Sequence, residues 1–366
     1  MTIALDHAPR IFAFTADAFP EINGREEEWR FTPIKRTAGL VSGEAKFEGD
    51  IEVTASDLGG ATFETIAKTN TRAGYTDRVA ALGFEKTTKV ASLSIPRNAN
   101  IESPIRLALN PKGKTVAGQV DINVGELATA TVIMDHTGSG AFAGNVDIAV
   151  GAGANLVLVS YQDWASDAVQ LSHHRIFLGK DAQIKHVVIT LGGDLVRLLP
   201  SVNYTAQGGA AELIGLYFAG AGQHAEHRLF VDHSIENCRS NVVYKGALDG
   251  KDAHTVWIGD VLIRANALGT DTYEINRNLV LSDGGRADSV PNLEIETGEI
   301  VGAGHASTTG RFDDEQLFYL MSRGITEDEA RKLVMRGFFE DLLMLISVPE
   351  INDRVRAAVE ERIAGK

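Results

Sequence analysis

Apolar and polar residues alternate with period two through much of the middle of the chain. Val116, Val120, Ile122 and Val124 share one parity, the rhythm of a strand buried on one side. Tyr273, Ile275, Leu279 and Leu281 repeat it, with Glu274, Asn276, Asn278 and Ser282 on the other parity and Arg277 interrupting the apolar side. The apolar set is expected to face the core. Further strand-like runs cover 156–159, 184–189, 213–218 and 242–244.

Four stretches open on a small residue, Ala154, Ala182, Ala211 and Cys238, at spacings of 28, 29 and 27 residues. A weak repeat of this length with strand-turn-strand content predicts a β-solenoid in which each coil stacks on the next. Roughly eight such coils fit between residues 86 and 312. Ala154, Ala182 and Ala211 are expected to stack in register. An antiparallel sandwich of regular hairpins is the competing architecture.

From residue 313 the period becomes helical. Asp313 and Gln316 suggest a capping box, and Gly324 a left-handed helix end. Thr326 and Glu329 make a second box before an apolar stripe of Ala330, Val334, Phe338, Leu342 and Leu345. Pro349 ends that helix and opens a third, striped by Ile351, Val355, Ala358, Val359 and Ile363. Three short helices bury too little to be stable alone. They are expected to dock on the β region, on another subunit, or on both. Near the start, Arg25-Glu26-Glu27-Glu28-Trp29-Arg30 reads as a solvated helix face with one aromatic anchor. The expected organisation is a mixed region over 1–85, a β core over 86–312 and a helical domain over 313–366.

Composition narrows the function. The 366 residues carry a formal net charge of −14 and a pI of about 5.2. That is the wrong sign for a phosphate-backbone binder, so nucleic acid is not an expected partner. Cys238 is the only cysteine, which excludes an intrachain disulfide and a thiolate cage for zinc or an iron–sulfur cluster within one chain. No apolar run is long enough for a membrane span, and the first residues lack a secretory apolar region. A cytoplasmic protein is expected.

No dinucleotide-binding glycine motif, P-loop or nucleophile elbow is present. His224 and His227 would share a helix face, yet they lie among strand signals, where positions three apart face opposite sides. They are read as separate histidines. Cys238 is read as a structural thiol, with Arg239 its only activating hint. Glu294 and Glu296 share a strand parity and could act as an acid–base pair, an exposed strand face being the simpler reading. His305 stands in a different setting. Gly302-Ala303-Gly304-His305-Ala306-Ser307 surrounds one imidazole with small residues where the β region meets the helices. Such a stretch admits close approach by another backbone or a cofactor.

The segment DDEQLFYLMSRGITEDEARKLVMRGF, residues 313–338, resembles the signature of the SufB/SufD family, the scaffold subunits of the SUF iron–sulfur cluster assembly machinery. Residues 276–310, NRNLVLSDGGRADSVPNLEIETGEIVGAGHASTTG, resemble that family's last β-helix coils, and YKGALDG (244–250) and GREEEWRFTP (24–33) fit as well. The lone cysteine and the Trp29-Arg30-Phe31-Thr32 run resemble SufD more than the longer, cysteine-bearing SufB.

The resemblance implies a mainly β fold, a right-handed parallel β-helix flanked by helical N- and C-terminal regions. It implies a non-enzymatic scaffold that forms a heterodimer with SufB, or a homodimer when SufB is absent. The C-terminal helices would dock the SufC ATPase, with Arg323, Gly324 and Phe338 as contacts. His305 would lie at the SufB interface as a metal ligand for a nascent iron–sulfur cluster, with no cofactor stably bound to this chain. The family's cysteine two positions earlier is Ala303 here, and its following glycine is Ala306, so no thiol acts at that position. Two rivals come from other classes. One is a cytoplasmic β-helix enzyme acting on a carbohydrate, and the other a stand-alone metal protein using His224 and His227.

Overall fold

The computed structural model describes residues 10–69, 72–111, 113–312 and 314–364. Among these, the strands form two nine-stranded sheets, and successive strands alternate between them from Lys89–Ile95 to Gly302–Arg311. Neighbours within each sheet over that span are parallel. The alternation coils the chain into a parallel β-helix of about eight turns and excludes the antiparallel sandwich. Strands Glu52–Ser56 and Thr62–Ala67 pair antiparallel and close the two sheets at the N-terminal end. At the other end the sheets stop at Gly302–Arg311 and Arg286–Ile295. No described strand pairs with their outer edges, so the last turn is open.

A column of small residues marks one corner of the coil. The amide of Gln183 donates to the carbonyl of Ala154, that of Ala210 to Ala182 and that of Arg239 to Gly209, each at 2.9 Å. The amide of Asp271 continues the column to Cys238 at 3.3 Å. The repeat is therefore real, with one correction. Gly209 rather than Ala211 stacks on Ala182, because Ala211 lies further into its strand, opposite Ile184.

The inside of the helix is aliphatic in its early turns, where Leu107, Leu109, Ile122, Val132 and Leu156 are buried together. It becomes polar in the late turns. On strand Asp271–Val280 the buried parity is Thr272, Glu274, Asn276, Asn278 and Val280, whereas Tyr273 is 46% exposed. This inverts the expected orientation. Asn276 and Asn278 bond to each other and to the Tyr217 hydroxyl inside the coil, which satisfies their buried polar atoms. The apolar Leu279 and Leu281 pack outward instead, beside the C-terminal helices.

Among the described residues four α-helices flank the coil: α1 (Arg78–Lys86), α2 (Asp314–Ser322), α3 (Glu327–Ile346) and α4 (Pro349–Ala364). The tail docks on the solenoid. Met335, Phe339, Leu342 and Ile346 of α3, with Ile351 and Val355 of α4, bury the outer face of the first sheet at Val159, Val187, Ile189, Ile214 and Leu216. The α3 stripe is rotated from the expected one: Leu345 is exposed, and Met335, Phe339 and Ile346 take the core positions. The Thr326 hydroxyl accepts from the Glu329 amide at 3.4 Å to cap α3. Gly324 ends the preceding turn with φ of +86°, a conformation that favours glycine. The Asp313–Gln316 box and the Ile363 side chain lie outside the described residues.

The N-terminal region covers the opposite sheet. Its acidic run forms only a short 3-10 turn, Glu27–Trp29, in place of a helix face. Trp29 is the anchor, buried with Leu40, Val41 and Val79 against Ala141, Ala143 and Leu171. Asp77 caps α1, accepting from the amides of Val79 and Ala80 at 2.9 and 3.0 Å. Among the described residues no helix is long and apolar enough to cross a membrane.

Candidate functional site

His305 lies on Gly302–Arg311, the final strand of its sheet, in register with Glu274. Parallel strands in register set like parities one above the other, about 4.8 Å apart. The imidazole thus sits over the Glu274 carboxyl at the open end of the coil. The His305 side chain is 43% exposed, that of Glu274 only 1%, and Nδ1 lies 3.9 Å from Oε1. Both carboxyl oxygens of Glu274 lack a hydrogen-bond partner. Burial, helped by the charge of Asp260, pushes this carboxyl up to about 8, so it is protonated at neutral pH.

Hydroxyls join the two edge strands beside this pair. Ser307 Oγ donates to Ser289 Oγ, and Ser289 Oγ donates to Asn276 Oδ1, each at 2.8 Å. Sequence reasoning singled out His305 but placed Glu274 on the solvent parity. The 27–29-residue repeat did not carry this pairing, because the last coil is longer and sets Glu274 31 residues before His305.

The other candidates separate. Among the described residues no three His, Cys, Asp or Glu side chains are grouped to hold a metal ion. His224 and His227 face opposite sides of strand His224–His233, as its parity requires. His227 points inward, with Nε2 3.0 Å from Thr190 Oγ1 and its ring stacked on Tyr217. Burial holds it down at about 3. His224 points outward, with Nε2 3.0 Å from Glu226 Oε2 and Nδ1 3.1 Å from Nδ1 of His254. Cys238 is buried in the small-residue column, and burial raises its thiol, the reverse of an activated nucleophile. Glu296 lies past the end of strand Arg286–Ile295 and accepts from the Ala265 amide at 3.0 Å. It therefore shares no strand face with Glu294.

On the tail, Arg323 and Gly324 are exposed at the α2–α3 turn, with the Arg323 guanidinium 5.1 Å from the centre of the Tyr319 ring. Phe338 is half-buried against the sheet, and Lys245 Nζ donates to its carbonyl at 2.7 Å. The large apolar side chains presented to solvent nearby are Phe318, Tyr319, Met321 and Leu333.

A family model described as SUF system FeS cluster assembly, SufBD core domain, matches residues 107–338. An iron–sulfur cluster assembly SufBD family protein of Mycobacterium bovis is 50% identical over 363 residues, covering 96% of this chain and 91% of that protein. One of Mycobacterium leprae is 50% identical over 367 residues, covering 97% and 94%. A second SufBD family protein of Mycobacterium leprae is more distant, 29% identical over 197 residues, which is 54% of this chain and 22% of that protein. With stacked coils filling most of the matched span and relatives of this identity running almost end to end, the chain belongs to the SufB/SufD family of iron–sulfur cluster assembly proteins.

Proposed function

We propose that this chain is a SufD-type, non-enzymatic scaffold subunit of a cytoplasmic SUF machinery. It pairs with a SufB-type paralogue through the open end of its β-helix and docks a SufC-type ATPase through its C-terminal helices. The observation that carries this reading is the half-exposed His305 on an unpaired edge strand. Such an edge offers a row of free N–H and C=O groups, on which a partner strand continues the sheet. An imidazole beside that seam offers a ring nitrogen as a ligand for iron. The nascent cluster is cargo at this interface, and its thiolates come from the partner, since Cys238 is buried. Two SufBD family proteins in Mycobacterium leprae support a pair of unlike subunits. The carbohydrate-enzyme reading finds no support here, because Glu274 lies inside the coil and Glu294 and Glu296 do not share a face.

The test is His305→Ala co-expressed with the paralogue and the ATPase. The complex is expected to assemble and hydrolyse ATP, while its iron and sulfide content falls several-fold. Wild-type iron and sulfide in that complex would remove His305 from the chemistry.

A further inference from the structure

We propose that Glu274 and His305 together form a divalent-cation half-site at the open end of the β-helix, the carboxylate behind and the imidazole in front. This deepens, and rests on, the reading that His305 faces the metal cargo. Glu274 is the unexpected member. A carboxyl this buried ordinarily accepts several hydrogen bonds, yet neither oxygen has a partner and its Oε1 points toward His305. The 3.9 Å between Oε1 and Nδ1 is about half an ångström more than two tetrahedral ligands about 2.0–2.2 Å from one ion span, so a small turn of the half-exposed imidazole brings both onto it.

The room for the carboxyl is built into the coil. Gly259 flanks it, and a Cβ there would lie 2.2 Å from Glu274 Oε2. A mixed nitrogen and oxygen donor pair suits a transition-metal dication such as Fe(II), Co(II) or Zn(II) better than Mg(II) or Ca(II). Two ligands leave the remaining positions to groups that approach from beyond the last turn.

Cobalt(II) is the probe, applied to the full chain. Cobalt-soaked wild-type crystals are expected to show an anomalous peak bonded to both Glu274 and His305. In solution, Glu274→Gln and His305→Ala are each expected to weaken Co(II) binding at least tenfold, read from its visible absorption. No peak between the two residues, or a peak only at His224 and His254, overturns the proposal. So does a folded Glu274→Gln that binds Co(II) like wild type. The crystal measurement needs no variant, so a Glu274→Gln that fails to fold still leaves the answer. The outcome is also separable from the cargo reading: a cobalt peak alongside undiminished cluster content in the His305→Ala complex upholds the half-site and removes the cargo role.

Discussion

Arg197 lies over the ring of Trp29, its guanidinium carbon 3.7 Å from the ring centroid, and so fastens the N-terminal turn to the β-helix. The arginine side chain is 1% exposed, and its charge is met by Glu226 at 3.2 Å and Asp77 at 3.0 Å. Glu226 also accepts from the Thr32 hydroxyl at 2.8 Å. Burial pulls the Glu226 carboxyl up, but the His224 hydrogen bond and the Arg197 charge outweigh it and hold the group at about 2. Arg197→Ala strips two buried carboxylates of their counter-ion. It is expected to cost about 3–5 kcal/mol, read from urea unfolding. An unchanged midpoint would show that this cluster does not hold the N-terminal region in place.

The YKGALDG segment has a steric reason for its glycine. A Cβ on Gly246 would lie 1.8 Å from the Tyr217 ring, and one on Gly215 would lie 2.0 Å from the Tyr244 ring. Each tyrosine occupies the space above a neighbouring glycine. Gly246→Ala is expected to destabilise by about 1–3 kcal/mol through overpacking. A Gly246→Ala variant with an unchanged urea midpoint would refute the steric account.

Stability should fall on both sides of neutrality, from different groups. Burial holds His136, His173, His186 and His233 down at about 4 and His227 at about 3. Their ordinary value is 6.5, so only the unfolded chain takes up these protons on acidification. Their contribution is full above pH 6.5 and drains away as pH falls toward 4. Glu274 has the opposite sign. Raised from 4.5 to about 8, it favours the fold fully below pH 4.5 and loses that contribution as pH rises through 8. Urea midpoints between about pH 4 and 9 should trace both limbs. Glu274→Gln should flatten the alkaline limb, by about 2–4 kcal/mol at its upper end, and leave the acid limb intact. An alkaline limb that persists in Glu274→Gln belongs to another group.

On the tail, exposure separates the side chains available for the proposed SufC docking from those that pack on the sheet. Phe318 and Tyr319 are 74% and 57% exposed on α2, whereas Phe338 packs beside Lys245. Replacing Phe318 and Tyr319 together by Asp is expected to weaken SufC binding at least tenfold with an unchanged melting temperature. Phe338→Ala should instead lower the melting temperature. Undiminished SufC binding by the double Asp variant, measured by calorimetry, would move the docking surface elsewhere.

What could be read from the chain beforehand depended on where the repeat is strict. Ala154, Ala182 and Cys238 were legible because a coil corner admits only small side chains, and they belong to one column with Gly209 between the last two. The column slipped at Ala211 because Gly209 is also small, and spacing alone does not choose between them. The inverted parity at Asp271–Val280 has a different origin. A strand in this sheet has two covered faces, one inside the coil and one toward α3 and α4. Apolar residues therefore mark either face, and Leu279 marked the outer one. The place of His305 on the last strand was legible from where the β pattern ends. Glu274 was not, because its meaning comes wholly from the strand stacked above it.

The helical tail also has a mechanical meaning. Arg106 pairs with Glu350, Asp135 with Arg354, Lys185 with the Leu345 carbonyl and Lys245 with the Phe338 carbonyl. These anchors sit on four different strands of one sheet, from Ile105–Asn110 to Arg239–Leu248, five strand spacings apart. At about 4.8 Å per spacing the tail bridges about 24 Å of the stack. It acts as a splint. Force applied along the helices loads the anchors together in shear and does not peel one rung from the next. The tail thus ties this part of the stack together, and strand Gly302–Arg311, which carries His305, lies two spacings beyond the last anchor.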